Sequence, residues 1–316
     1  MKGELIPALQ WYSLLKMGSN EVLRTLQDSG YKSEVDELGV EKRDPSSLER
    51  ALNKNLIRTF SKLYRICDER MQEVLHVYLH RYDMENFKTI IRGKMTGISD
   101  EEILGLLIPS VHHPLSYFET LVKKEATMDI VKALPFHLHL QKEAKLVDIE
   151  NALDRHHFEE LFLLAERLSG QGVPLREFIR AELDIVNLKM LLRLKRDGRS
   201  SKDILRYLIR PRPELISLAD AENVREVLRE LYQMKFTSVK GDESVSEEEL
   251  LTRAEIDLDT SLLKKEVLLM HQYPLTVNVI LGFLFAKEIE VRNLKVLLKG
   301  KQLGLDDSYL AQLVVV

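Results

Sequence analysis

The side chains best placed to do chemistry in this chain are its histidines and the carboxylates near them. His76 and His80 stand four residues apart, with Glu73 before them and Asp83 after. On a helix that spacing puts both imidazoles on one face. Glu73-x-x-His76 also has the spacing by which di-metal helical bundles hold their ions, but such a bundle needs a second copy on another helix, and none occurs. His112-His113, His137-x-His139 and His156-His157 read as separate surface or packing pairs. A phosphate-binding loop needs Gly-x-x-x-x-Gly-Lys followed by Ser or Thr. Gly93-Lys94 and Gly300-Lys301 lack the upstream glycine and the hydroxyl. They read instead as helix C-terminal residues, where the dipole favours a lysine. The single cysteine, Cys67, falls in a helical pattern from Leu63 to Leu75 with no base beside it, and reads as a buried structural thiol. The expectation is no catalytic, cofactor-binding or metal-binding residue, and no cofactor.

The composition points to helices. The 316 residues include 14 glycines and nine prolines, against roughly 22 and 16 at average usage. Few breakers with many Leu, Glu, Lys and Arg favour long helices. Acids and bases nearly cancel, to a net charge of −4, which argues against a nucleic-acid partner. One cysteine allows no internal disulfide and fits a reducing compartment. The start of the chain shows no signal-peptide core. The longest apolar run, Leu275 to Ala286, is too short to cross a bilayer and reads as a buried helix. Membrane contact is therefore expected only through partners.

The strongest signal is internal repetition. Asp83-x-x-Asn86-x-Lys88, Asp184-x-x-Asn187-x-Lys189 and Glu290-x-x-Asn293-x-Lys295 align without gaps, their asparagines 101 and 106 residues apart. Eleven residues after each Asn comes a glycine (Gly97, Gly198, Gly304), then a capping residue (Ser99, Ser200, Asp306), then an apolar residue (Ile103, Ile204, Leu310). Upstream, Leu52-Asn53, Leu153-Asp154 and Leu258-Asp259 open a helical pattern, so Asn53, Asp154 and Asp259 are expected as N-caps. Apolar residues at −2, +1, +4 and +5 from each Asn form one core-facing stripe. The acid at −3 lies on that buried stripe and must find donors; the Asn amide one turn on is the expected one. The cations at +2 and +6 point the other way, and Arg92, Arg193 and Lys299 are candidates for a partner-binding surface. The glycines suit left-handed helix ends, and Ser99 with Glu102 has capping-box spacing. The polar stretch 237–249 reads as a mobile loop, with Ser246 and Glu249 capping the next helix.

These readings predict an all-α protein of three similar helical subdomains, 1–103, 104–207 and 208–316. A long helical chain bearing the acid-x-x-Asn-x-Lys motif three times, about a hundred residues apart, resembles the C subunit of the archaeal and bacterial V/A-type ATPases, a family that includes the d subunit of the eukaryotic vacuolar enzyme. Trp11-Tyr12 and Leu14-Leu15 fit the family's helical start, and Glu290 in place of Asp is a mild departure. The resemblance implies a funnel of three subdomains around a pseudo-threefold axis, peripheral on the cytoplasmic side of the membrane. It implies a non-catalytic socket between the D and F shaft subunits and the proteolipid rotor ring, passing torque for ATP-coupled ion transport. The isolated chain is expected to be monomeric and to have no ATPase activity. The alternative is a helical scaffold or adaptor unrelated to that machine; an enzyme built on the His76/His80/Asp83 face stands third.

Overall fold

The computed structural model describes residues 5–38, 45–141, 144–168, 170, 172–272 and 277–315. Among these every regular element is a helix, and the order of the helices repeats. Three short helices, α1 (Ala8–Lys16), α2 (Ser19–Gln27) and α3 (Lys32–Glu37), precede a long pair, α4 (Pro45–Ile66) and α5 (Glu69–Thr96). Three more, α6 (Asp100–Leu106), α7 (Leu115–Val122) and α8 (Thr127–Lys132), lead to α9 (Leu146–Arg167) and α10 (Gly172–Arg196). The third set is α11 (Ser201–Tyr207), α12 (Pro213–Leu218) and α13 (Val224–Gln233), followed by α14 (Glu247–Gln272) and α15 (Val277–Gln302); α16 (Asp307–Leu313) closes the series. The repeated motif lies on the second long helix each time.

The boundaries follow from backbone chemistry. Gly97, Gly198 and Gly304 stand at φ +73°, +68° and +71°, the left-handed region that ends a helix at no steric cost to glycine. Two residues on, the Ser99, Ser200 and Asp306 side chains accept from the backbone N–H groups of Glu102, Asp203 and Ser308, satisfying donors a helix start leaves open. Ile103, Ile204 and Leu310 are then fully buried. Leu275 and Thr276 lie outside the described residues, but Val277, Leu281, Phe283 and Leu284 are buried as expected.

Several local expectations are corrected. Asn53, Asp154 and Asp259 lie well inside α4, α9 and α14, not at their starts. Apolar residues before them, such as Leu48, Ile149 and Leu250, continue the helical stripe. The stretch 237–249 is tied down: Asp257 accepts from Thr237 Oγ1, Ser238 N and Ser238 Oγ at 2.6–2.7 Å, and Arg225 donates to the Asp242 and Val245 carbonyls. Ser246 Oγ does accept from Glu249 N, capping α14. Cys67 is half-buried rather than buried; burial, with Asp68 beside it, raises its thiol above the ordinary range, which keeps it an unreactive thiol.

The contacts divide into two compact units, one formed by 1–5, 16–167 and 290–304, the other by 6–15, 168–289 and 305–316. In the first, Phe87, Ile90 and Ile91 of α5 pack with Ile103, Phe118, Leu121, Ile130, Ile149 and Leu153 in one continuous core. The second buries the equivalent stripe of α10, Leu188, Leu191 and Leu192, together with Leu258 and Leu262 of α14. It also buries a carboxyl. Glu266 on α14 is 0% exposed, and neither oxygen has a hydrogen-bond partner among the described residues. Burial, reinforced by nearby Glu182, pushes its pKa up to about 9, so the group is held neutral at pH 7.

Candidate functional site

The repeated acid-x-x-Asn-x-Lys stretch makes three kinds of contact, each directed to a different place. The asparagines are main-chain clamps. Asn86 Nδ2 donates to the Ile108 carbonyl and Asn86 Oδ1 accepts from the Ile108 N–H, both at 2.8 Å. Asn187 does the same to Ile209, again at 2.8 Å each way. Each amide satisfies both the main-chain donor and the main-chain acceptor of one residue, two positions past the end of α6 or α11. Asn293 is equally buried, at 1% exposure.

The buried acid at −3 does not use that amide, contrary to expectation. It meets a different side chain in each copy, in the first at ion-pair distance without hydrogen-bond geometry. Asp83 Oδ2 lies 2.7 Å from His112 Nδ1, Asp184 Oδ2 lies 2.8 Å from an Arg212 guanidinium nitrogen, and Glu290 Oε1 accepts from the Tyr31 hydroxyl at 2.6 Å. The physical reason is that both ends of the asparagine amide are engaged by the main chain. Burial raises the Asp184 carboxyl above its usual range and Arg212 partly offsets this. Burial and Glu290 together push the Tyr31 phenol well above its own range.

The cations do leave their own stripe, and in two copies they meet the first long helix of the next copy. Lys88 donates to Asp154 at 2.6 Å and to Glu85 at 2.8 Å; Arg92 donates to Glu150 at 2.5 Å. Lys189 donates to Asp259 at 2.5 Å, and Arg193 forms a two-point pair with Glu255 at 2.6 and 2.8 Å. Lys88 is only 6% exposed. Burial alone would lower its pKa, but the Asp154 and Glu85 carboxylates raise it. The aspartates expected as N-caps are thus the acceptors of the preceding copy's lysine. Arg92 and Arg193, candidates for a partner-binding surface, are turned toward acids of this same chain.

The third copy departs from the pattern. By repeat equivalence Asn53 stands where Asp154 and Asp259 stand, and Glu49 where Glu150 and Glu255 stand. Lys295 and the exposed Lys299 line a small recess with Glu49, Leu48 and Leu52. Among the described residues no carboxylate lies within ion-pairing distance of Lys295. Burial lowers its pKa, which Glu49 only partly offsets. The buried Asn53 Oδ1 has no hydrogen-bond partner among the described residues. Asn53→Asp is therefore expected to stabilise the protein by about 1 kcal/mol at pH 7, a gain abolished when Lys295→Met is added. A double-mutant cycle in urea measures this; a coupling near zero would show that the third pair is not equivalent.

A second cluster was missed by the sequence reading. His112, taken as part of an isolated pair, lies against the His76/His80 face, its ring centroid 4.4 Å from His76 and 4.2 Å from His80. His76 and His80 are 5.0 Å apart. No periodicity links residue 112 to 76, because the connection is made through the clamp that Asn86 closes on Ile108.

The family model described as ATP synthase (C/AC39) subunit matches residues 1–313. The chain is 34% identical to the C subunit of the A-type ATP synthase of Methanosarcina mazei over 329 aligned residues, covering all of this chain and 90% of that protein. The corresponding protein of Methanosarcina acetivorans is 32% identical, with the same coverage. That of Archaeoglobus fulgidus is 30% identical, covering all of this chain and 93% of that protein.

Proposed function

This chain belongs to the ATP synthase (C/AC39) subunit family, and from that premise we propose that it is the non-catalytic central-stalk connector of a rotary V/A-type ATPase. In this reading it is a socket. It joins the shaft made by the D and F subunits to the proteolipid rotor ring and passes torque between ATP chemistry and ion movement. The match along nearly the whole chain carries the proposal. The all-helical build supports it, as does the fact that no helix among the described residues is long and apolar enough to cross a membrane. Contact with the membrane sector would then run through partners, on its cytoplasmic side.

A part that passes torque must resist shear between its helices. The Lys88–Asp154, Arg92–Glu150, Lys189–Asp259 and Arg193–Glu255 pairs tie successive copies together. We assign the motif residues Asp83, Asn86, Lys88, Asp184, Asn187, Lys189, Glu290, Asn293 and Lys295 a structural role within three repeats, 1–103, 104–207 and 208–316. Of the three cations first considered as a partner surface, Arg92 and Arg193 are better read as internal ties. Lys299 remains the member offered to a partner.

The test is binding of the purified chain to the D–F shaft complex and, separately, to detergent-solubilised proteolipid ring. Capture by both is expected, together with a monomeric free chain and no phosphate release from ATP. A well-folded chain that binds neither would favour a helical scaffold outside the rotary machine.

A further inference from the structure

The first copy carries a side-chain cluster that the connector role does not use. His76 and His80 come from adjacent turns of α5, a 28-residue helix, and His112 from the segment between α6 and α7. One nitrogen from each ring can be chosen so that all lie within 4.8 Å of one another. The nitrogens of a tetrahedral zinc site stand about 3.3 Å apart, with metal–nitrogen bonds of about 2.0–2.1 Å. Metal binding therefore requires the rings to draw closer than they stand here. The rings border an open cleft of about 510 Å³, whose wall also includes His156 and Glu160.

One ring, His80, has the hydrogen-bonded carboxylate backing that metal-bound imidazoles use, and a second, His112, has a carboxylate at ion-pair distance without hydrogen-bond geometry. His80 Nδ1 lies 3.1 Å from Glu160 Oε2, and His112 Nδ1 lies 2.7 Å from Asp83 Oδ2. A carboxylate behind Nδ1 fixes the ring and leaves Nε2 as the ligating atom. His112 Nε2 lies 3.0 Å from the His76 carbonyl, a contact that a metal ion at that nitrogen would replace. His112 is positioned from outside the cluster, since Asn86 clamps Ile108 four residues earlier. At the same offsets from the repeated Asn the second copy has Glu177, Ala181 and Pro213, and the third has Phe283 and Lys287 in place of His76 and His80, so the cluster belongs to the first copy alone.

We propose that His76, His80 and His112 form a binding site for one divalent transition-metal ion of the zinc or cobalt class. Glu160 and Asp83 support two of the ligands, and the fourth coordination position opens on the cleft. Three imidazoles with no carboxylate among the ligands select borderline metals over the oxygen-seeking Mg²⁺ and Ca²⁺. Two carboxylates behind the ligands balance the charge of the ion. Bound metal would tie α5 to the segment ahead of α7 and stabilise the first unit.

The test is titration of the untagged full-length chain, stripped with chelator, with Co²⁺. A 1:1 complex with visible d–d absorption is expected, lost on adding Zn²⁺ and unaffected by Mg²⁺. His80→Ala should lower the affinity at least 100-fold, and Glu160→Gln 10- to 100-fold, while His137→Ala leaves it unchanged. Zn²⁺ should also raise the melting temperature of the wild-type chain but not of His80→Ala. Absence of a 1:1 complex in the folded wild-type chain would overturn the proposal, as would equal affinity in His80→Ala. If His80→Ala does not fold, Glu160→Gln decides: wild-type affinity in that variant overturns the assigned geometry. None of these readouts depends on shaft or ring binding.

Discussion

Replacing Asn187 by alanine is expected to cost the protein roughly 2–5 kcal/mol of stability. The side chain itself is small, and lost packing contributes little of that. The cost lies in what is left behind. Ile209 is only 2% exposed, and its N–H and C=O each lose their one observed partner, Asn187. A buried main-chain donor or acceptor left open costs about 1–3 kcal/mol. Asn86→Ala removes the same two bonds from Ile108, which is half-buried, so water can partly replace the amide and the loss should be smaller. Asn187→Asp should behave nearly as badly as alanine, because a carboxylate cannot donate to the Ile209 carbonyl. Urea unfolding of the three variants measures this. A loss below about 0.5 kcal/mol for Asn187→Ala, or the reverse order between the two sites, would remove the clamp from the account of the fold.

The second large effect has the opposite sign. Glu266→Gln should stabilise the protein, and more so as the pH rises. The Glu266 carboxyl titrates near its ordinary 4.5 in the unfolded chain and at about 9 in the folded one, because burial disfavours its charge. Between those two values the folded state holds a proton that the unfolded state releases. The contribution of this group is thus fully present below pH 4.5 and is lost as the pH climbs toward 9. The slope is about 1.4 kcal/mol per pH unit, so about 3 kcal/mol has gone by pH 7. A neutral glutamine of the same shape does not titrate and escapes this penalty. Melting curves of wild type and Glu266→Gln from about pH 4.5 to 8.5 should diverge steadily, with the variant ahead at high pH and the two together at the acid end. Parallel curves would mean that Glu266 is ionised in the folded protein.

Much of this fold could be read from residue types and offsets. The capping residues, the left-handed glycines and the apolar stripes are governed by local geometry, which is written in adjacent residues, and the structure reproduces them copy by copy. What was not legible is whatever depends on two distant segments meeting. Asp154 and Asp259 look like helix caps to a local reading, because Asp is a good cap. Only the approach of Lys88 and Lys189 shows them to be ion-pair acceptors inside helices. The acid at −3 gave a buried carboxylate without its partner. That partner is an imidazole, a guanidinium or a phenol, from 28 to more than 250 residues away. His112 escaped for the same reason. Its neighbours His76 and His80 are more than 30 residues distant, and the clamp that brings it to them is a side chain meeting main chain.

That last kind of bond has a consequence for how such a chain can drift. When Asn86 grips the peptide group of residue 108, it makes no demand on the side chain there beyond that it not be proline, which has no N–H to give. Position 108 can therefore change without consulting position 86, while position 86 has no substitute that offers both a donor and an acceptor in the same geometry. The acid three residues earlier is in the opposite situation, because its partner is a side chain and must change type whenever the local space does. In a family-wide comparison, the asparagine is then expected to be nearly invariant yet to covary with nothing, and the acid to covary strongly with its donor.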